Sequence, residues 1–304
     1  MRINTKTTKT TKAPGRPRAI LPFVVFVVFV LNFSFLSIAA QAPGRIVSLV
    51  PAVTEMLFAI GAGPQVIAVS SYDREPAEVE ALPKVGALLD PDVERILSLR
   101  PDLVITYGSQ DDLRTQLARA GLASFDYRHG SLADVTATIR ALGIRTGRAA
   151  GAEAVAAAIE GRIDAVRRQV AGRPAPRTLL VFGRERGALR NIYVSGGRGF
   201  LHDALVAAGG VNVFADIDRE AVQATTEQIL ARAPEVIVEL RSADAFTDAE
   251  RATEIAAWRR LASVPAVRDG RIHILTGSGL TVPGPRIPET VERIAGALHE
   301  VPPR

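Results

Sequence analysis

One segment of this chain, PDVERILSLRPDLVIT at Pro91–Thr106, returns further on as ATTEQILARAPEVIVE at Ala224–Glu239. Each copy predicts a short helix that begins with an acidic turn, ends before a proline and is followed by a buried strand. An ungapped alignment pairs identical or similar residues along most of the segment. The pairs are Glu94/Glu227, Ile96/Ile229, Leu97/Leu230, Pro101/Pro234, Asp102/Glu235, Leu103/Val236, Val104/Ile237 and Ile105/Val238.

A weaker similarity links a second pair of segments in the same order. VSLVPAVTEMLFAIGAGPQVIA begins at Val47, and VSGGRGFLHDALVAAGGVNVFA begins at Val194. Two halves with the same order of motifs predict two related α/β lobes, and the space between two lobes is a natural ligand cleft.

Short apolar runs alternate with helical segments in each half. The first half contains RIVSLV, QVIAVS, DLVITY and LASFDY, and the second contains TLLVFG, IYVSGG, EVIVEL and RIHILT. This alternation is typical of mainly parallel, doubly wound sheets. Between the halves, RAAGAEAVAAAIEGRIDAVRRQV predicts one helix of about 22 residues, roughly 33 Å long.

The predicted fold is therefore α/β, with two Rossmann-like lobes of mainly parallel sheets joined by one long backbone helix. We place an N-terminal lobe at 43–147, the connecting helix at 148–172 and a C-terminal lobe at 176–304.

Residues 1–40 have the pattern of a secretory signal peptide. A basic region without acidic residues precedes the apolar run Ile20–Ile38, and SIAAQA then offers small residues for cleavage after Ala40. The run is also long enough for an uncleaved membrane anchor. Both readings place the remaining chain outside the cytoplasm, in the periplasm or secreted.

The charge of the chain is concentrated in this leader. Six of the 37 Lys and Arg residues precede Ala42, so 31 remain against 32 Asp and Glu, a net charge of −1. The case for a nucleic-acid partner disappears with the leader. The absence of Cys excludes disulfides, thiol nucleophiles and zinc-ribbon sites.

These motifs resemble the periplasmic substrate-binding proteins of ABC importers. The resemblance is carried by RIVSLVPAVTEMLFAIGAG, VIAVSSYDREPAEVEALPKVG, DPDVERILSLRPDLVI, FLHDALVAAGGVNVF and the late PGPR, and it spans nearly the whole mature chain. The chain is most similar to the vitamin B12-binding branch of the helical-backbone metal-chelate group, which also includes binders of haem and iron-siderophores.

The resemblance implies roles for particular residues. Glu94 and Glu227 correspond to the acidic residues, one per lobe, that dock on arginines of the permease dimer in the inner membrane. Another reading is that each glutamate only favours the dipole of its own helix.

For the cleft, the resemblance implies ligand contacts at Pro51, Tyr72, Tyr107 and Tyr193. A tyrosine ring offers apolar contact while its hydroxyl can bond an amide or ligate iron. Arg286 lies in the late loop TGSGLTVPGPR. Arg184 follows a strand near the expected cleft, where it would contact ligand carboxylates or phosphate, or simply lie in a solvated loop.

The sequence departs from the cobalamin binders at four cleft positions. Leu88 and Ala221 replace bulky tryptophans, while Ser278 and Val282 replace an acidic and a basic residue. A corrinoid is the first ligand expected, with haem or a ferric siderophore as the alternative.

Other chemistry has little support in the sequence. The four histidines form no metal-binding pattern, no GxSxG motif is present, and SGGRGF lacks the residues that complete a nucleotide loop. We expect a monomeric binding protein with no catalytic residue, cofactor or resident metal. An exported enzyme and a membrane-anchored receptor module are the competing classes.

Overall fold

The computed structural model describes residues 1–2, 9–11, 42–242 and 246–299. The predicted leader lies almost entirely outside the described residues, and the chain from Ala42 onward forms one compact unit. Among the helices that the structure describes, none is both long and apolar enough to cross a membrane.

The first lobe is built on a parallel sheet in the order β2-β1-β3-β4. Helices follow the strands along the chain, as the alternating apolar pattern predicts. The strands are β1 (Ile46–Ser48), β2 (Val66–Val69), β3 (Leu103–Tyr107) and β4 (Ala123–Tyr127). The helices are α1 (Pro51–Ala59), α2 (Val93–Ser98), α3 (Asp111–Arg119) and α4 (Leu132–Thr146), with single 3-10 turns at Gly63–Gln65 and Ala77–Ala81.

The second lobe has a mixed sheet. Its strands are β5 (Arg177–Gly183), β6 (Ile192–Ser195), β7 (Val211–Asn212), β8 (Ala221–Ala224), β9 (Val236–Arg241) and β10 (Ile272–Thr276). The order is β10-β9-β5-β6-β8, and β7 pairs with β5. Strands β7, β9 and β10 run parallel to β5, whereas β6 is antiparallel to β5 and β8 is antiparallel to β6. Residues 184–191 are too short a connection for a parallel crossover, so β5 and β6 form a hairpin.

The helices of the second half complete the fold. They are α5 (Ala149–Val170), α6 (Phe200–Ala207), α7 (Thr226–Arg232), α8 (Asp248–Trp258), α9 (Pro265–Arg268) and α10 (Ile287–His299), with a 3-10 turn at Arg259–Leu261. The two-lobe α/β architecture predicted from the alternation is confirmed, whereas the antiparallel hairpin and the short strands β7 and β8 are features that the pattern did not show.

Helix α5 is the long helix that the sequence predicts between the lobes. Its buried stripe includes Ile159, Ile163 and Val166, and it packs against α4, α6 and α10. These side chains belong to one apolar core that also contains Ile46 of the first sheet and Val238 of the second. Because the core is continuous, the lobes are joined by packing as well as by the chain.

The repeat is visible in the backbone as well as in the sequence. Asp92 caps α2 and Thr225 caps α7, each by accepting a hydrogen bond from a backbone N–H of the first turn. Just after each helix, a residue other than glycine adopts a left-handed conformation, Arg100 with φ 47° and Ala233 with φ 44°. A proline follows each of them and prevents the helix from continuing.

The acidic residue after each proline also has the same task in both lobes. Asp102 accepts hydrogen bonds from the backbone N–H groups of Gly44 and Arg45, both at 2.9 Å, at the start of β1. Glu235 accepts one from the N–H of Arg177 at 2.9 Å, at the start of β5. Each acid therefore ties its own strand to the first strand of its lobe.

Candidate functional site

A cavity of about 310 Å³ lies between the first lobe and the C-terminal loop. It is at the carboxyl ends of β1 and β3, where the strand order of the first sheet changes direction, the usual ligand position in open α/β sheets. Its wall is mostly apolar and aromatic. The lining residues are Leu49, Val50, Pro51, Ala52, Leu88, Tyr107, His129, Thr281, Val282 and Pro283.

Two of the predicted contact residues, Pro51 and Tyr107, line this cavity. Pro51 is the first residue of α1, where a proline costs no hydrogen bond because that N–H has no helical partner. Tyr107 is the last residue of β3, and its backbone N–H donates to Gln110 Oε1 at 2.8 Å. Gln110 Nε2 in turn donates to the Leu88 carbonyl at 2.9 Å, which fixes the Leu88 loop against the strand end.

Tyr107 belongs to a cluster of three rings. Its ring centroid is 6.1 Å from that of Tyr127 and 5.0 Å from that of His129. The Tyr127 hydroxyl and His129 Nδ1 are 3.2 Å apart, and Tyr127 is buried while His129 is exposed. Tyr127 and His129 were not among the site residues predicted from the sequence. The register of β3 and β4 pairs Tyr107 with Tyr127, so the DYRH motif at the end of β4 was the available signal.

The carboxylate of Glu220, in the second lobe, influences the pKa values of these three side chains. Burial raises the pKa of Tyr107, and the negative charge of Glu220 raises it further. Burial likewise raises the pKa of Tyr127. Burial lowers the pKa of His129, an effect that Glu220 partly offsets. Glu220 directly precedes β8, so the aromatic wall of the first lobe and this carboxylate are electrostatic neighbours.

Tyr72 and Tyr193 do not line this cavity. Tyr72 is 71% exposed at the tip of a turn, which Asp73 closes by accepting hydrogen bonds from the Ser70 N–H at 2.9 Å and the Ser70 hydroxyl at 2.5 Å. Tyr193 is 42% exposed on β6, with its ring centroid 6.4 Å from that of Phe182. Both rings are open to solvent, and neither contacts the cluster around Tyr107 in this structure.

Arg184 is buried among charged side chains and does not lie where the predicted ligand contact would require it. Its side chain is fully buried, Nε lies 3.0 Å from Glu239 Oε2, and Nη2 lies 2.7 Å from Glu254 Oε2. Trp258 Nε1 also donates to Glu239 Oε2 at 3.0 Å, and Arg241 Nη2 lies 2.5 Å from Glu239 Oε1. With its N–H groups committed to these partners, Arg184 is a member of a buried ion cluster and not a ligand contact.

Arg286 joins two distant parts of the chain. Its Nε and Nη2 donate to the two carboxylate oxygens of Glu55 at 2.8 Å and 2.7 Å, and Nη1 donates to Ser278 Oγ at 3.2 Å. The hydrogen bonds to Glu55 raise the pKa of Arg286. This bidentate pair ties the C-terminal loop to α1. The guanidinium borders a neighbouring cavity of about 330 Å³, which Phe58 also lines.

The glycine-rich turn SGGRGF is explained by packing. A Cβ at Gly196 would lie 2.1 Å from the carbonyl oxygen of Arg219, and one at Gly197 would lie 2.1 Å from that of Ala215. Glycine is therefore required at both positions, because other backbone segments lie too close for a side chain. This packing explains the glycines without a bound phosphate.

Glu94 and Glu227 occupy equivalent exposed positions in the first turns of α2 and α7. Hydrogen bonding to its own backbone amide and to Thr225 lowers the pKa of Glu227, which keeps its carboxylate charged. Three residues after each glutamate is a leucine exposed to solvent, Leu97 at 38% and Leu230 at 40%. Each lobe therefore presents the same pair of an acidic and an apolar side chain.

A larger cavity of about 940 Å³ lies at the opposite end of the second sheet, lined by Arg173, Arg271 and His299 among others. It adjoins the beginnings of β5, β9 and β10, whereas parallel sheets bind ligands at their carboxyl ends. We therefore regard the smaller cavity beside Tyr107 as the candidate site. Within the described ranges, no group of three or more His, Asp or Glu side chains is arranged to hold a bare metal ion.

Comparison with known proteins identifies the class. The family described as "Periplasmic binding protein" matches residues 46–278, and the chain belongs to this family. The vitamin B12-binding protein of Yersinia pestis (strain Pestoides F) is 30% identical over 211 residues, which is 69% of this chain and 74% of that protein.

Solved structures of similar proteins include binders of different chelates. The periplasmic vitamin B12 binding protein BtuF of Vibrio cholerae superimposes with a TM-score of 0.72 and 26% identity, covering 85% of this chain and 97% of that one. A periplasmic heme binding protein from Pseudomonas aeruginosa gives the same TM-score and identity, covering 85% of this chain and 93% of that one. The family is confirmed, and the ligand must be argued from the cleft.

Proposed function

We propose that this protein captures a corrinoid in the cleft beside Tyr107 and delivers it to the permease of an ABC importer. It performs no chemistry on its cargo. The leader directs the chain out of the cytoplasm, and the mature protein acts as a monomer. The curated relatives named for vitamin B12 binding support this ligand class.

The charge pattern of the cleft is the observation that carries the ligand proposal. Haem carries propionate carboxylates and many ferric siderophores are anionic, so their binding sites need available cations. Here Arg184 is paired with Glu239 and Glu254, and Arg286 is paired with Glu55. Arg128, next to His129, has a side chain 71% exposed and a longer contact of 3.4 Å to Asp126, so it is a cation that remains largely in solvent.

A corrin fits these surroundings better than an anionic chelate. Its rim bears neutral carboxamides, whose N–H groups hydrogen-bond to carboxylates such as Glu220 and to hydroxyls such as that of Tyr107. Its planar macrocycle gains from burial against the rings and the apolar wall of the cavity.

Delivery depends on the two repeated faces. Glu94 with Leu97 and Glu227 with Leu230 form equivalent exposed pairs on the two lobes. Two like patches suit a partner with two like subunits, as in a permease dimer that presents arginine to each glutamate. Charge complementarity of this kind mainly sets the rate and specificity of association.

Haem is the second candidate, because Tyr107 and His129 place an oxygen and a nitrogen donor in the same cavity. The direct test is to titrate the purified protein with cyanocobalamin, cobinamide, haemin and a ferric hydroxamate. The single tryptophan, Trp258, serves as energy donor, and equilibrium dialysis provides an independent measure. We expect saturable binding of corrinoids and weaker binding of the anionic chelates. Preferential haemin binding would support the second candidate, and no binding of any chelate would refute the ligand proposal.

A further inference from the structure

His129 is a cleft residue to which the corrinoid proposal assigns no role. It lies two residues beyond the end of β4, is partly exposed to solvent and lines the cavity beside Tyr107. Its ring lies against two aromatic rings, with centroid distances of 5.0 Å to Tyr107 and 5.4 Å to Tyr127. The imidazole is therefore held at the cavity wall by packing on its flanks.

The hydrogen bond of this ring decides which nitrogen faces the ligand. His129 Nδ1 is 3.2 Å from the hydroxyl of Tyr127, a residue that is only 3% exposed. Nδ1 therefore points toward the protein interior, and Nε2, on the far side of the ring, points away from Tyr127. When Nδ1–H donates to the Tyr127 oxygen, Nε2 carries the free lone pair, which is the usual arrangement of a metal-binding histidine.

The protonation state also suits a donor role. Burial of its packed side lowers the pKa of His129 and so favours the neutral ring, and the charge of Glu220 only partly opposes this effect. Burial raises the pKa of Tyr107, which keeps the nearest phenol protonated and makes it a poorer metal ligand. Among the described residues that line this cavity, His129 is the one that supplies an imidazole.

We propose that His129 Nε2 coordinates the metal of the bound chelate at an axial position. This inference rests on the proposed function and narrows its substrate class. The protein would select chelates whose metal has an open or easily exchanged axial ligand. An incomplete corrinoid such as cobinamide meets this condition directly, whereas a complete cobalamin must first release its own base from the metal.

Visible absorbance of bound aquacobinamide tests the proposal. Replacement of bound water by an imidazole nitrogen shifts the absorption bands of the cobalt corrin. We expect this shift with the wild-type protein and with the control His202→Gln, which alters a histidine that interacts with Asn212 and does not line the cavity. We expect no shift with His129→Ala, and an affinity lower by about tenfold or more.

Rescue separates coordination from packing. Added imidazole should restore the shifted spectrum to His129→Ala, because the free ligand can occupy the space left by the side chain. Equal far-UV circular dichroism and equal thermal midpoints would show that the variant is folded.

The outcomes are distinct for the two proposals. If wild type and His129→Ala bind cobinamide with the same spectrum, axial coordination is wrong while the proposed function stands. If equilibrium dialysis finds no chelate bound to the wild type, both are wrong. Coordination is supported when the spectral shift depends on His129 and returns with imidazole.

Discussion

The two copies of the repeated segment agree at one end and differ at the other. At the helix, Glu94 matches Glu227 and Leu97 matches Leu230, and all four are exposed. At the strand end, Thr106 aligns with Glu239, both fully buried.

The strand of the first copy ends at the wall of the cavity, whereas the strand of the second copy ends in a buried cluster of charged side chains. The next residue in the first lobe is Tyr107, which lines the cavity, whereas its counterpart Leu240 is buried. Glu239 requires Arg184, Arg241 and Trp258 around it, because a buried carboxylate is costly unless it is paired. The two copies therefore present similar exposed side chains on the helix, whereas the residues at the end of the strand differ in chemistry between the lobes.

The largest effect is expected when both exposed glutamates are removed, which tests whether the two similar helix faces have the same role. The double variant Glu94→Ala with Glu227→Ala should reduce cellular uptake of the ligand to background, since both carboxylates proposed to dock on the permease are lost. Ligand affinity, measured by titration, should not change. Asp112→Ala is a matched control, because Asp112 is an exposed acid in the first turn of α3 but lies outside the repeat. A fall in ligand affinity in the double variant would mean that these residues belong to the cleft.

The strand-end difference predicts unequal losses of stability. Glu239→Ala removes one of the two carboxylates that pair with the buried Arg184 and leaves an excess positive charge in the cluster, so it should lower the free energy of unfolding by about 3–5 kcal/mol. Thr106→Ala removes a long hydrogen bond from the hydroxyl to the Phe125 carbonyl, at 3.5 Å, together with one buried methyl group, and should cost about 1–2 kcal/mol. Urea denaturation followed by far-UV circular dichroism measures both. Equal losses would contradict the separation of the two ends.

Because Tyr107 lines the cavity, its substitution is expected to change the ligand affinity and not the free energy of unfolding. Tyr107→Ala should weaken ligand binding by about 1–3 kcal/mol, because a ring that the ligand covers is removed. Tyr107→Phe keeps the ring and should retain most of the affinity. Isothermal titration calorimetry with the ligand identified by the chelate titration checks both variants, and unchanged affinity in Tyr107→Ala would remove this residue from the site.

The smallest predicted effect concerns the helix ends, where the copies agree. Arg100→Gly and Ala233→Gly should each raise the free energy of unfolding by about 0.5–1 kcal/mol, because glycine adopts the left-handed conformation without steric cost. Ala120→Gly at the end of α3, where φ is −82°, should instead lower it by a similar amount. Opposite signs at Arg100 and Ala233 would show that the two helix ends are not energetically equivalent.

Much of the fold could be predicted from local patterns. The acidic turn, the proline and the apolar run that follows specify helix, stop and strand within each copy, and all three occur where predicted. The exposure of Glu94 and Glu227 follows from the same local pattern. The antiparallel pairing of β5 and β6 was missed because it depends on the length of a connection and not on the apolar pattern of either strand.

The candidate site could be predicted only in part. Pro51 and Tyr107 line the cavity because each lies at the boundary of a regular element near the sheet's carboxyl edge, and their contact with a ligand stays a prediction. The burial of Arg184 could not be predicted, since its partners Glu239 and Glu254 are 55 and 70 residues away along the chain. Arg286 likewise pairs with Glu55, which is 231 residues away along the chain.

The sequence by itself determined the two-lobe plan, the long connecting helix, the family and the repeated acidic faces, because these depend on periodicity, helix ends and side chains that remain in solvent. Only the tertiary structure decided which charged groups the cleft offers to a ligand and that His129 joins Tyr107 there. Packing pairs groups from distant parts of the chain, and a guanidinium beside a buried carboxylate is no longer available for a ligand.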